Sequence, residues 1–363
     1  MALSAGRRAL LAGLAGAAAA AGGLAAATLP SGGPDQVPAA RSAADALVIA
    51  TVGDHGTGPR AEDVLAAMGR SEPDVVLSLG DLAYDEGPGV AQAFCQMVKD
   101  QLNRGAGTPA GDAYGETLPF AVVEGNHDDD ELPQYLAPDC LPDRLGVTPS
   151  GLDDLGQAWW VDLPQQQPLV RLVALPSEGR KYGVGTRRYQ WLSNVLDDAR
   201  AAGVPWVVVA QHENRITAGE KPDEIGPEVF DLLVSKQVDL VLQAHDHTYQ
   251  RSVQLRHGAD CPSVPAGRFE PACVTDDGAD GEYAAGAGTV LLINGTGGRS
   301  NYEVSRDDPD SPWFPVVMGA NTEDASGFSR LTIDRSALEV TYEQAAGDEP
   351  FTDAFRISRG QRR

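Results

Sequence analysis

The sequence predicts an α/β fold whose core is a parallel-type sheet covered on both faces, with a β-rich C-terminal part. Two observations carry this. From residue 47 to residue 245, runs of Val, Ile and Leu alternate with segments of helical periodicity. Continuous apolar strands belong to sheets buried on both sides. After residue 248 the alternation stops, and the remaining apolar segments are patterned as antiparallel strands.

The elements follow in order. LVIATVGD (47–54) is a buried strand, residues 60–70 are helical, VVLSLGD (75–81) is a second strand and 89–103 a second helix. PFAVVEGN (119–126) is a third strand. WWVDL (159–163) and LVRLVAL (169–175) are adjacent strands, and 186–203 is an amphipathic helix closed by a glycine. PWVVVAQH (205–212), a helix near 225–236 and VDLVLQAH (238–245) complete the alternating part. TVLLING (289–295), FSRLTID (328–334) and LEVTYEQ (338–344) form the antiparallel part, the last two joined by an Arg-Ser-Ala turn. Residues 257–288 and 299–326 are rich in Gly, Asp and Pro and read as surface loops.

One domain over 45–358 accounts for these elements, with no internal repeat and a short tail at 359–363. Residues 28–44 read as a linker. Residues 1–27 read as an export signal: Arg7-Arg8 precede a stretch of Ala, Gly and Leu without charge, and Ala25-Ala26-Ala27 offer a cleavage site. The arginine pair before Ala-Leu-Leu is twin-arginine-like. That stretch is long enough to span a bilayer, but Ala and Gly make it only weakly apolar, so cleavage is favoured over a permanent anchor. The expected location is therefore secreted or extracytoplasmic.

The 363 residues are 42% apolar and 22% charged, the composition of a soluble globular chain. A formal charge of −24 argues against a nucleic-acid partner, which needs basic faces. The same charge would repel an anionic substrate unless a local positive charge, such as bound metal, overcame it. Four cysteines, Cys95, Cys140, Cys261 and Cys273, allow three disulfide connectivities in an exported chain. The preferred one pairs Cys95 with Cys140 and Cys261 with Cys273. Zinc is disfavoured because no two cysteines have close ligand spacing.

Polar residues cluster in one pattern. Five apolar strands end in residues able to bind metal: Asp54, Asp81, Asn126, His212 and His245. Ligands of open α/β sheets bind outside the carboxyl ends of strands, which puts these five side chains on one rim. Singly, each reads as a turn, a cap or a core residue; five together point to a site. In AHDHTYQR (244–251), His245 and His247 either share a face or diverge to neighbouring metals, and Asp246 points away. In EGNHDDD (124–130), Asn126 offers a carbonyl oxygen and His127 sits beside it, while Asp128, Asp129 and Asp130 suit the start of a helix.

GDHG (53–56), GDLAY (80–84), GNHD (125–128), VAQH (209–212) and AHDH (244–247) occur in that order. This set resembles the calcineurin-like metallophosphoesterase family, and Tyr84 makes it resemble the purple acid phosphatase branch. The resemblance implies a four-layer α/β/β/α sandwich of two mixed sheets. It implies two metal ions, with Asp54, Tyr84 and His247 on the first, Asn126, His212 and His245 on the second, and Asp81 bridging. His127 would face the phosphate and leaving group as the catalytic acid. Three negative charges from Asp54, Asp81 and a phenolate Tyr84 suit Fe(III), with Fe(II), Zn, Mn or another divalent ion at the second position.

The chain departs from the family pattern in two places. Ala244 stands for the usual glycine, and the loop after His212, ENRITAGEKPDEI, lacks the substrate-contacting histidines of the plant enzymes. Arg215 and Arg299 are weak candidates for substrate contact, as is His55, which otherwise reads as a solvent-facing turn residue. NGTGGR (294–299) lacks the Lys-Ser/Thr of a P-loop and reads as a tight turn beside the site.

The expected function is an exported metallophosphoesterase that hydrolyses phosphate monoesters or phosphoanhydrides by attack of a metal-activated hydroxide on phosphorus. A phosphodiesterase on the same metals is the alternative. A non-catalytic metal-binding surface protein is the reading of another class. The expected partner is a phosphorylated small molecule; the sequence leaves the oligomeric state open.

Overall fold

The computed structural model describes residues 46–360, apart from residues 86, 108–113, 129–130, 142–144, 153–157 and 178–181. The expected signal and linker, as well as Asp129 and Asp130, lie outside the described residues. In chain order the first half holds β1 (Leu47–Val52), α1 (Pro59–Arg70), β2 (Val75–Ser78), α2 (Val90–Ala106), α3 (Tyr114–Thr117), β3 (Phe120–Val122), α4 (Leu132–Tyr135), β4 (Thr148–Pro149), β5 (Trp159–Leu163) and β6 (Val170–Ala174). Then come α5 (Arg187–Ala201), β7 (Trp206–Ala210), α6 (Pro227–Ser235), β8 (Leu240–Gln243) and β9 (Tyr249–Leu255). The C-terminal part adds β10 (Val274–Asp276), β11 (Glu282–Ala284), β12 (Thr289–Asn294), β13 (Val316–Met318), β14 (Ser326–Ile333), β15 (Ala337–Ala346) and β16 (Ala354–Ser358).

Two mixed sheets result, which is the expected α/β/β/α sandwich. One runs β11-β16-β15-β14-β1-β2-β3, with β1, β2 and β3 parallel and β14 antiparallel to β1. The other runs β10-β9-β12-β8-β7-β6-β5-β4, with β6, β7, β8 and β12 parallel. The continuous apolar runs explain the layers, because each central strand is apolar on both sides. Ile49, Leu77, Val208 and Leu242 meet in the core between the sheets. Val52, Val76 and Phe120 pack under α1 and α2, while Val207, Val209 and Val241 pack under α5 and α6. The C-terminal strands are therefore woven into both sheets.

Six strands lie where none was expected, among them the two-residue β4. β10, β11 and β13 fall inside the two segments read as surface loops, and β9 follows directly on the final histidine pair. β9 escaped because Gln250, Arg251, Ser252 and Gln254 are polar yet buried. Most of their polar atoms are satisfied internally, by Thr217, Thr248, Asp353 and the Ala284 carbonyl among others, so a buried strand need not look apolar. β16, also not foreseen, pairs with β15 on one side and with the edge strand β11 on the other.

Both preferred disulfides are present, Cys95–Cys140 between α2 and the segment after α4, and Cys261–Cys273 after β9. Among the described residues no helix is long and apolar enough to cross a membrane.

Candidate metal centre

The strand endings expected on one rim belong to two sheets. Asp54, Asp81 and Asn126 follow β1, β2 and β3, whereas His212 and His245 follow β7 and β8 of the other sheet. The site is thus a seam between the carboxyl ends of facing sheets. The NGTGGR segment bridges that seam: Gly53 N–H donates to Asn294 O at 3.0 Å, Gly297 N–H to Gly53 O at 2.9 Å, and Arg299 N–H to Asp54 O at 3.0 Å. This is the turn beside the site that the sequence suggested.

Backbone geometry marks the same residues. Asp54, Asp81 and His245 have φ of 60°, 55° and 66°, the left-handed region that non-glycine residues avoid. Such strain costs about 1–3 kcal/mol per residue and clusters at functional sites. The positive φ falls on His245 rather than on Ala244, so alanine is tolerated at the position usually held by glycine. Gly125 cannot be replaced so easily, since a Cβ there would lie 2.2 Å from Asp81 Oδ1.

The side chains converge in two groups. In the first, Tyr84 donates its hydroxyl to Asp54 Oδ1 at 2.8 Å and its oxygen lies 2.9 Å from His247 Nε2. His247 Nε2 is also 3.3 Å from Asp54 Oδ1. In the second, His212 Nε2 lies 3.2 Å from Asn126 Oδ1, 3.1 Å from His245 Nδ1 and 3.4 Å from Asp81 Oδ1. The donor atoms of Asp81, His212 and His245 all lie within 4.8 Å of one another, and all three residues are buried. Asp81 Oδ1 also accepts the His127 N–H at 2.9 Å.

The second ring nitrogens show what these atoms can do. His212 Nδ1 lies 2.7 Å from the Leu79 carbonyl and His247 Nδ1 lies 2.9 Å from the Ser300 carbonyl. A carbonyl only accepts, so each Nδ1 carries the proton and each Nε2 presents a lone pair. His245 is turned the other way, with Nε2 2.7 Å from Glu224 Oε2 and Nδ1 facing His212. Two imidazole lone pairs 3.1 Å apart repel unless a cation lies between them. Likewise the one Tyr84 proton cannot serve both Asp54 and His247. The residues present fit metal binding, with outer partners holding each ring as metal-ligating histidines require.

Without metal a proton substitutes. Burial opposes charge on both Asp81 and His212, but their mutual attraction wins, holding the Asp81 carboxyl well below the usual range and raising His212. Burial first, and then the Asp54 and Asp81 charges, push the Tyr84 phenol far above its ordinary value. A phenolate at this position therefore demands a strongly polarising ion.

Other expected site residues fall out differently. His127 is exposed, its ring tilted against that of Tyr84 with centroids 4.8 Å apart. Arg299 is exposed at the same place, its guanidinium carbon 4.4 Å from the centre of the Tyr84 ring. His55 neither lines the pocket nor faces solvent: it is buried against Phe94 and Phe120, bonds Ser78 through Nε2, and burial lowers its pKa to about 4. Arg215 is buried and paired with Asp223 inside its own loop. Asp128 does not cap a helix with its side chain. Its carboxylate accepts the N–H groups of Asp81, Leu82 and Gly125, tying the GDLAY and GNHD turns together.

Sequence reasoning missed Glu224 and Tyr302. Glu224 holds His245, and Tyr302 stacks on His247 with ring centroids 4.0 Å apart and planes within 10°. The loop that carries Glu224 is anchored by Asp246, whose side chain points away from His245 and His247 as expected. Its carboxylate accepts from Thr217 Oγ1 and from the N–H groups of Glu220 and Lys221.

Residues 47–249 match the calcineurin-like phosphoesterase family, and the chain belongs to it. Several of the relatives it resembles are purple acid phosphatases. It is 26% identical over 220 residues to purple acid phosphatase 23 of Arabidopsis thaliana, covering 56% of this chain and 47% of that one. An uncharacterized protein of Mycobacterium tuberculosis is also 26% identical over 220 residues, with 56% and 40% covered. The chain thus spans less than half the length of these relatives. Among solved structures, a purple acid phosphatase from yellow lupin (Lupinus luteus) seeds has the same fold, with a TM-score of 0.56 and 17% identity over 87% of this chain and 54% of that one.

Proposed function

We propose that the protein is an exported, dinuclear metal-dependent phosphoesterase that hydrolyses phosphate monoesters or phosphoanhydrides. One observation carries the reading. Three histidines each have one ring nitrogen committed to an oxygen acceptor and the other aimed into the space shared by Asp54, Asp81, Tyr84 and Asn126. Asp54, Tyr84 and His247 would hold one ion, Asn126, His212 and His245 the other, and Asp81 both. The three anionic oxygens of Asp54, Asp81 and Tyr84 favour Fe(III) at the first position, with Fe(II), Zn, Mn or another divalent ion at the second.

When bound, a metal pair would supply charge neutralisation for displacement at phosphorus and would lower the pKa of a water. The chain's own residues do the rest. His127, exposed beside Tyr84 and tied by its backbone N–H to Asp81, would supply a proton to the leaving oxygen. Glu224, Leu79 O and Ser300 O fix the imidazoles, and Asp128 fixes the two turns. Export is supported by two disulfides and by the twin-arginine-like segment.

The test combines metal analysis, a visible spectrum and phosphatase assays on purified protein. Two metals per chain, iron among them, and a phenolate-to-iron colour that Tyr84→Phe removes are expected, together with turnover of aryl phosphate. A colourless iron-loaded wild type would refute the Tyr84 ligand. Metal-loaded protein inert towards aryl monoester and diester alike would leave only a binding role.

A further inference from the structure

We infer that Arg299 makes this site select a dianionic phosphate monoester over a diester. The inference rests on the dinuclear reading above and deepens it.

The residues 299–302 form an arch fastened to the site at three points. Arg299 N–H donates to Asp54 O at 3.0 Å, Ser300 O accepts from His247 Nδ1 at 2.9 Å, and Tyr302 N–H donates to His247 O at 2.9 Å. Tyr302 adds its ring stack on the same histidine. The arch can shift only if the site shifts. Its first side chain, Arg299, lies over the Tyr84 ring at 4.4 Å, the contact a guanidinium makes with an aromatic face. It is exposed, and among the described residues it has no carboxylate partner.

Several other arginines are already committed to carboxylates. With 52 acidic against 28 basic residues, Arg60, Arg171, Arg200, Arg215 and Arg251 are each paired with an aspartate. Arg215, in the loop that was the other candidate source of positive charge, is among those paired. A positive group that is pre-positioned at the site and not neutralised binds an anion with little ordering cost.

The chemistry of the two ester classes supplies the selectivity. A monoester has three non-bridging oxygens and carries about −1.5 to −2 charge near neutral pH. A diester has two such oxygens and a single charge. If two oxygens face the metals, only the monoester keeps a third for Arg299, and only the monoester carries the second charge for it to neutralise. Guanidinium suits that role because its planar donors match phosphate oxygens.

The experiment compares metal-loaded wild type, Arg299→Ala and Arg299→Lys. It measures kcat/KM for an aryl phosphate monoester and for an aryl alkyl diester, and the inhibition constant of inorganic phosphate. In Arg299→Ala the monoester-to-diester ratio should fall about tenfold, and inhibition by inorganic phosphate should weaken by a similar factor. Arg299→Lys should lie between, since it keeps the charge and loses the planar fork. A ratio within twofold of wild type in Arg299→Ala overturns the inference and leaves the phosphoesterase intact. Wild type that hydrolyses diester alone also overturns it. Metal-loaded wild type that hydrolyses neither ester sinks the phosphoesterase reading and this inference with it. Thermal melts accompany each variant; if Arg299→Ala melts early, Arg299→Gln replaces it in the comparison.

Discussion

At the scale of single residues, the expected metal ligands were legible for one shared reason. Each of Asp54, Asp81, Asn126, His212 and His245 ends an apolar run, where a polar side chain stands out against its neighbours. Glu224 had no such contrast. It is one acid in a chain with 52, and only the fold brings it 2.7 Å from His245 Nε2. Its consequence is specific. With Nε2–H given to a carboxylate, His245 is locked with Nδ1 free, and the ring becomes more basic toward metal. Glu224→Gln should therefore weaken the ion shared by Asn126, His212 and His245 by about 10–100-fold, measured by chelator competition. A nitrogen-15 spectrum of the histidines supplies the second readout: the His245 tautomer should become mixed while His212 and His247 stay as they are. An unchanged affinity and tautomer would make Glu224 only a loop residue. Asp81→Asn acts elsewhere. It keeps an oxygen in place but removes the shared negative charge, and turnover should fall at least about 10³-fold with the fold intact.

At the scale of elements, the apolar strands were legible and β9 was not, for a reason that yields a prediction. Tyr249 and Arg251 are alternate residues of β9 and share a face. Both reach Asp353, through the Tyr249 hydroxyl at 2.8 Å and the Arg251 guanidinium at 2.8 Å. Asp353 directly precedes β16, so this cluster ties one sheet to the start of a strand of the other. Arg251 and Asp353 are nearly inaccessible, with side-chain exposures of 4% and 7%. Hydropathy counts such residues as surface, while the fold uses them as core. Removing one partner strands the other charge in the interior, which costs about 3–5 kcal/mol. Asp353→Ala should lower the unfolding free energy measured by urea titration by that amount, and Arg251→Met combined with Asp353→Leu should recover part of it. Recovery that fails would mean that the lost Tyr249 bond, rather than the stranded charge, dominates. The assignment of strands to sheets was also invisible beforehand. A continuous apolar run says that a strand is buried on both faces, not which neighbour it pairs with, and the strand ends at the site therefore looked like a single rim.

At the scale of the whole molecule, charge sets two competing effects with different ranges. The chain carries −24 overall, yet the site needs an anionic substrate. Its local positive groups are the proposed metals and Arg299. At about 10 mM ionic strength the Debye length is about 30 Å, so an approaching dianion feels the summed negative charge of the molecule. At about 150 mM it is about 8 Å, and only groups at the mouth of the site still act. Added salt should therefore help this enzyme where it slows one whose field attracts its substrate. Between about 10 and 150 mM sodium chloride, kcat/KM for an aryl phosphate should rise about threefold or more, while kcat, set by groups already in contact, stays level. Above that range the local attraction is screened as well, and the curve should turn down. Arg299→Ala should keep the rise and lose most of the fall, because it removes a cation that acts at close range. An aryl diester, with half the charge, should show the rise more weakly. A kcat/KM that falls from the lowest salt onward would mean that the positive field of the site extends past the acidic surface, and the repulsion assigned to the −24 charge would have to be withdrawn.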